Sequence, residues 1–163
     1  MRHALASLVL ALFLFPSIAM GETVRYVDLV VREGLYYKKF TTVPFTGKIT
    51  GNAQGSFKDG KKHGPWVFHW ANGQLMTKGT LIDGKEVGPW VFYNKDGTVW
   101  HQTTYKDGKQ HGPWVEYHKN GQLRQKGTYK DGKKHGPWVG YFENGKVVKG
   151  FAGTYKDGKK VSD

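Results

Sequence analysis

Trp66, Trp90, Trp114 and Trp138 lie 24 residues apart, and each is preceded by Gly-Pro and followed by Val. Self-similarity at such a period marks an array of like units rather than a compact globule, because one short unit can bury its apolar face only against its neighbours. The best preserved copy runs from Tyr105 to Thr128 and contains Asp107-Gly108, Gly112-Pro113-Trp114 and Asn120-Gly121.

Two turn signals alternate along the array. Asp59-Gly60, Asp83-Gly84, Asp107-Gly108, Asp131-Gly132 and Asp157-Gly158 mark one end of each unit; Asn72-Gly73, Asp96-Gly97, Asn120-Gly121 and Asn144-Gly145 mark the other. Both read as two-residue type I′ reversals, whose twist matches that of paired strands. The chain is therefore predicted to be all-β, an elongated single-layer antiparallel meander of stacked hairpins. Counting outward from Asn120-Gly121 sets Lys119 against Gln122, His118 against Leu123, Tyr117 against Arg124 and Trp114 against Gly127. It likewise sets Trp66 against Gly79 and Trp90 against Thr103, with the indole covering the glycine it faces. From the Asp-Gly turns, His63, His111 and His135 face Ser56, Thr104 and Thr128.

Pro65, Pro89, Pro113 and Pro137 have no N–H for a ladder, so each Gly-Pro is expected to start a new, short strand such as Trp66 to Trp70. Gly64, Gly88, Gly112 and Gly136, with the four Trp, are the structural signature of the repeat. Six Trp, nine Tyr and nine Phe against few Leu and Ile predict an interior of stacked rings. By parity, Val67, Val91, Val115 and Val139 share one face with His69, Tyr93, Tyr117 and Tyr141. The Trp face, continuing through Phe68, Phe92, Glu116 and Gly140, is less uniform and is the one expected to meet solvent or a partner.

The two ends of the chain read differently from its middle. Arg2, the apolar run from Ala4 to Phe15 and the small-x-small Ala19-Met20-Gly21 resemble a secretory leader over residues 1–21, with mature protein from Glu22. A retained anchor is the alternative, although Pro16 and a run of 17 residues sit at the lower limit for a bilayer span. Loss of Arg2 lowers the formal charge only from +12 to +11. The absence of cysteine excludes a disulfide framework and a lipid-bearing thiol, and an exported chain of this kind suits the periplasm or the cell exterior. Residues 22–43 read as an N-terminal capping segment, with strands around Val30 and Tyr36 and a turn at Gly34. Residues 44–163 form the repeat domain: a degenerate first copy, four copies of 24 to 26 residues, and a truncated last hairpin after a bulge between Lys146 and Thr154.

The unit Asp-Gly-Lys-x-x-Gly-Pro-Trp-x-x-Tyr-x-x-Asn-Gly-x-Leu-x-x-x-Gly-x-Tyr resembles the variant MORN repeat (membrane occupation and recognition nexus), as found in proteins of the YwqK antitoxin family. The resemblance covers Pro44 to Lys160. It implies a twisted sheet of hairpins serving as an interaction surface and implies no catalytic residues.

Equivalent histidines in adjacent units stand two strands apart, ~9.6 Å, too far for ligands that must each lie ~2.1 Å from one metal ion. Ser56, His63 and Asp59 have neither a nucleophile elbow nor a cleft. No metal, cofactor or catalytic residue is expected. The binding candidates are the aromatics Phe68, Phe92 and Trp100, for a protein partner, and a basic edge at the Asp-Gly turns that includes Lys133, Lys134, Lys159 and Lys160. That edge could attract an anionic envelope component, whether lipid headgroup at the membrane periphery or wall polymer. Export argues against nucleic acid. The predicted function is thus an exported, non-enzymatic scaffold; the alternatives are electrostatic binding to membrane or wall and antitoxin-like neutralisation of a partner protein.

Overall fold

Each of the five Asp-Gly-Lys tips reverses the chain in two residues, with Asp at φ 50–52° and Gly at φ 75–87°, the two left-handed positions that a type I′ turn requires. Asp tolerates that region because its short polar side chain can bond locally. The computed structural model describes residues 21–163; the expected leader, but for Gly21, lies outside them.

The repeats build β5 (Ala53–Lys58), β6 (Lys61–His69), β7 (Leu75–Ile82), β8 (Lys85–Tyr93), β9 (Val99–Lys106), β10 (Lys109–Tyr117), β11 (Leu123–Lys130) and β12 (Lys133–Gly140), followed by β13 (Gly153–Lys156) and β14 (Lys159–Ser162). Ahead of them stand β1 (Glu22–Arg25), a 3-10 turn (Tyr26–Asp28), β2 (Leu29–Arg32), β3 (Leu35–Lys38) and β4 (Gly47–Thr50). From β4 to β14 each strand pairs antiparallel with its neighbour in sequence, as the alternating turns predict. The sheet has twelve strands because β1 joins it beside β4, in parallel. The β2–β3 hairpin lies between them in sequence and gives the connection the length that a parallel pair needs. It forms a second, small sheet on the Trp face: Tyr26 and Tyr36 pack on Phe57 at 6.5 and 4.7 Å, and the Tyr36 N–H donates to Gly60 O at 2.8 Å. Val24, Leu29, Phe45, Ile49, Phe57, Trp66, Leu81 and Trp90 form one buried cluster here, at ~1.5–3 kcal/mol for each large apolar side chain covered.

Three local expectations are corrected. The Asn-Gly reversals are not two-residue turns. Only the glycine is left-handed; the Gly73 N–H donates to Trp70 O (2.9 Å), the Trp70 N–H to Gln74 O (2.7 Å), and the Asn72 side chain accepts from the Gln74 N–H (3.1 Å). That last bond holds Asn in an Asx turn, and the loop becomes three residues long. The one-residue slip makes Tyr117 face Leu123, and His118 bonds Gln122. A bulge at Arg124 then cancels it, so Trp114 faces Gly127 as counted; Met76 and Trp100 are the matching bulges earlier in the chain.

The Gly-Pro step does not begin a strand. Each of β6, β8 and β10 runs through it for nine residues. His63 faces Ser56 and Val67 faces Gln54, leaving Gly64, Pro65 and Trp66 opposite the single Gly55. The ladder is interrupted where proline has no donor, and Gly64, at φ 87°, makes the bend. The two extra residues of the last unit form a turn in which the Phe151 and Ala152 N–H groups both point to Val148 O. A simple bulge would have kept the strand that this turn interrupts.

Candidate interaction surface

The bulge decides what the indole touches. Trp66 has Gly79 as ladder partner, yet its ring lies over Gly55 of the preceding strand, where an added Cβ would come within 2.4 Å. Trp90 lies over Gly79 and Trp138 over Gly127 in the same way, both at 2.1 Å. The glycine that pins each indole is therefore eleven residues before it and not the one it faces. Thr103 replaces the glycine beneath Trp114, and that indole is less deeply covered than the other three.

Pressed flat on glycine, the indoles make the Trp face the packed one, contrary to the expectation that it meets solvent. Trp66, Trp90 and Trp138 are 1%, 4% and 2% exposed. Rings continue across the strands: Phe57 to Trp66 at 5.2 Å, Trp66 to Phe68 at 5.5 Å, Phe92 to His101 at 4.2 Å, His101 to Trp114 at 4.4 Å and Tyr129 to Trp138 at 5.1 Å. The Val face instead alternates Val67, Lys78, Val91, Gln102, Val115, Lys126 and Val139 along one row, all partly or fully open to water.

Four residues before each Trp, the side chain turns onto the Trp face. Lys62 sets its Nζ 5.0 Å from the Trp66 ring and 5.4 Å from Phe68. Lys134 sets its Nζ 4.2 Å from Phe151, 4.5 Å from Trp138 and 5.4 Å from Tyr155. Such cation–π contacts contribute ~1–2 kcal/mol when partly desolvated, and burial holds the Lys134 ammonium below the ordinary lysine range. The second copy has Glu86 at this position. There the face opens into a groove of about 370 Å³ walled by Phe68, Met76, Leu81, Trp90, Phe92 and Tyr105, with Lys62 and Glu86 at its polar margins.

Farther along, the same row of positions turns polar. His101 is buried between Phe92 and Trp114, and desolvation pushes it down to about 4 despite nearby Glu116. Glu116, 4% exposed, accepts from the Arg124 guanidinium and the Gln125 amide. The buried indole N–H groups of Trp66, Trp90 and Trp114 have no acceptor, whereas that of Trp138 donates to Thr128 O at 3.0 Å.

A family model described as the MORN repeat variant matches residues 62–83, 86–107, 110–131 and 134–149, together half of the chain. The protein belongs to the MORN repeat variant family. No curated protein matches the chain. In MORN terms, each matched segment starts at the face-turned residue, Lys62, Glu86, Gln110 or Lys134, and the first three close at the next Asp-Gly reversal.

The outer edge of the MORN array carries the lysines. Lys58 faces Lys61, Lys106 faces Lys109, Lys130 faces Lys133 and Lys156 faces Lys159. All eight are exposed, and like charges set directly opposite weaken a ladder. The tips are stitched in a row: the Gly84 N–H donates to Lys62 O, Gly108 to Glu86 O, Gly132 to Gln110 O and Gly158 to Lys134 O, at 2.8–3.0 Å. Lys133 and Lys159 stand in this strip. Lys134 does not, being turned onto the rings, and Lys160 bends back toward Gly150 O and Asp163.

The three aromatic candidates are also separated. Phe68 and Phe92 both wall the groove of the second copy, half-buried and not freely exposed. Trp100 sits on its bulge, 45% exposed, in a different depression with Tyr117, His118, Arg124 and Glu143. The histidines do not bond the Ser or Thr they face: His63 Nδ1 lies 3.3 Å from Asp83 and His111 Nδ1 3.2 Å from Asp131, each at the next tip. His135 Nδ1 has no such partner, although the Asp157-Gly158 tip is stitched to Lys134 O like the others. Among the described residues no group of three metal-ligating side chains converges. The face-turned position four before Trp escaped sequence reading. Its signal was an ionic character that changes from Lys to Glu to Gln to Lys while the flanking Gly-Pro-Trp repeats.

Proposed function

We propose that this protein is a non-catalytic interaction scaffold, exported to the cell envelope, that holds a protein partner in the groove of its second repeat. One observation carries the reading. The Trp face covers itself with its own rings over most of its length, and between Phe68 and Phe92 it leaves an open, ring-walled groove. Partner proteins are gripped at such aromatic, partly desolvated positions on rigid elements. The family, a repeat type associated with protein and lipid interaction, supports the same reading.

Crosslinking pull-down from envelope extracts tests it. Phe68→Ser, Phe92→Ser and Met76→Lys are expected to lose the same partner, the last by placing a cation in the groove while leaving the stack intact. A partner retained by all three folded variants rejects the groove. N-terminal sequencing from fractionated cells tests export: a chain starting near Glu22 in the envelope fraction supports it, and one starting at Met1 in the cytosol rejects it.

The facing lysines at the tips favour a second reading, electrostatic association with anionic membrane lipid or wall polymer. Sedimentation with anionic vesicles should then fall steeply between low and physiological salt. It should also weaken when Lys106, Lys133 and Lys159 become Gln; salt-independent binding rejects it. Antitoxin-like neutralisation would be the groove reading with a toxin as occupant, and co-expression with a neighbouring toxin decides that case.

A further inference from the structure

We infer that the groove of the second repeat is a cage for a lysine side chain of the partner polypeptide, with Glu86 as its counter-charge. The inference rests on the scaffold reading and names the chemistry of the same site.

The molecule supplies its own template. Two of its cages are filled by its own lysines, and in both the walls are completed from outside the repeat. In the first, Leu81 stands where later copies have Tyr105, Tyr129 and Tyr155, and Tyr26 and Tyr36 of the N-terminal segment approach the Lys62 ammonium instead, at 5.6 and 5.8 Å. In the fourth, Gly140 stands where earlier copies have Phe68 and Phe92. Phe151 takes the missing place, its ring 2.8 Å from where a Gly140 Cβ would be. Wherever a lysine is present, rings have been recruited around it.

In the second copy the rings belong to the repeat itself and no lysine fills them. Trp90 and Tyr105 are 6.1 Å apart at 75°, close to Trp138 and Tyr155 at 6.4 Å and 67°. Trp90 and Phe92 are stacked at 6.2 Å and 28°, like Trp66 and Phe68 at 5.5 Å and 23°, whereas Trp138 and Phe151, also 6.2 Å apart, meet edge-on at 83°. At the position of Lys62 and Lys134 stands Glu86, so a cage of similar ring spacing carries the opposite charge. Ring faces attract an ammonium, a nearby carboxylate adds a full charge, and Met76 and Leu81 offer an apolar floor to a four-carbon stem. Lys62, whose Nζ lies 5.4 Å from the Phe68 ring, also lines the groove and disfavours a second cation on its own side. The third copy has Gln110, Trp114 and Tyr129 but Glu116 in place of the remaining ring, and makes no such cage. The Trp90 indole N–H, buried without an acceptor, reports on this wall.

The test follows the indole N–H resonances of the full chain by NMR while adding Nα-acetyl-lysine methylamide, or its uncharged norleucine counterpart. The lysine derivative should move the Trp90 signal saturably and leave Trp138 unmoved, with the norleucine compound about tenfold weaker. Glu86→Lys should abolish the response by filling the cage as Lys134 fills its own, and should abolish partner capture in the pull-down. Lys134→Glu should create a new response at Trp138. Equal binding of both compounds overturns the lysine assignment but leaves the groove as a partner site. No response to either compound, with capture surviving both Glu86→Lys and Phe92→Ser, ends both readings. Self-association that Glu86→Lys abolishes would assign the lysine to a second copy of this chain and overturn the separate partner.

Discussion

The Trp face is closed in two different ways. In its first half, Phe68, Thr77 and Phe92 line the row beside Trp66 and Trp90, and the 3-10 turn and the β2–β3 hairpin lay Tyr26 and Tyr36 over the end. In its second half the same row reads His101, Glu116, Gln125 and Gly140, with polar groups that satisfy one another or lie between rings. A sheet with no second layer over most of its length can thus seal one side with apolar area or with matched polar groups. The two solutions should fail differently: the first by cavity formation, the second by stranding a charge or gaining a proton.

The largest separation is expected from Trp66→Ala, which should cost ~3–5 kcal/mol in urea unfolding, against a clearly smaller loss for Trp114→Ala, whose ring rests on Thr103. Equal losses would erase the distinction. Next, Arg124→Ala should cost ~1–3 kcal/mol by leaving the buried Glu116 carboxyl with Gln125 alone. Adding Glu116→Leu should recover most of that loss, and no recovery would mean that Arg124 acts through its stem.

A third, smaller effect lies in acid. His101 is held at about 4 when folded and titrates near 6.5 when unfolded, so between these values the unfolded chain binds a proton that the folded chain does not. Stability should fall as pH drops through that window, and His101→Phe should flatten the fall in midpoints measured at pH 7.5 and 5. A slope unchanged by the substitution would place the acid sensitivity elsewhere. Smallest of all, His63→Ala should change stability by no more than ~0.5 kcal/mol, since its contact with Asp83 is exposed; a larger loss would make the tip contacts a source of cohesion.

Much of the fold was legible because its information is local. Asp-Gly-Lys at the tips takes two left-handed residues, and Trp114 opposite Gly127 follows by counting. The Asn-Gly loops were misread because Asn72 bonds the Gln74 N–H, a choice between two turns that the dipeptide alone does not make. The wet and dry faces were exchanged for a related reason. Parity separated Trp from Val correctly, but only the bulge at Gly64-Pro65 shows that the indole reaches Gly55. Lys134 was counted among surface lysines because a turn places it beside Lys133; that it bends over Phe151 depends on a ring seventeen residues away.

The sequence by itself determined that this chain is a ladder of hairpins, since a periodic pattern of turn residues acts over a few neighbours at a time and admits one way of stacking. Tertiary structure alone decided which face is sealed, which lysines are free, and that the second repeat has a cage without a lysine. Those outcomes depend on contacts between strands from different repeats and on the segments at either end, where a ring present or missing in one unit is compensated by another far along the chain.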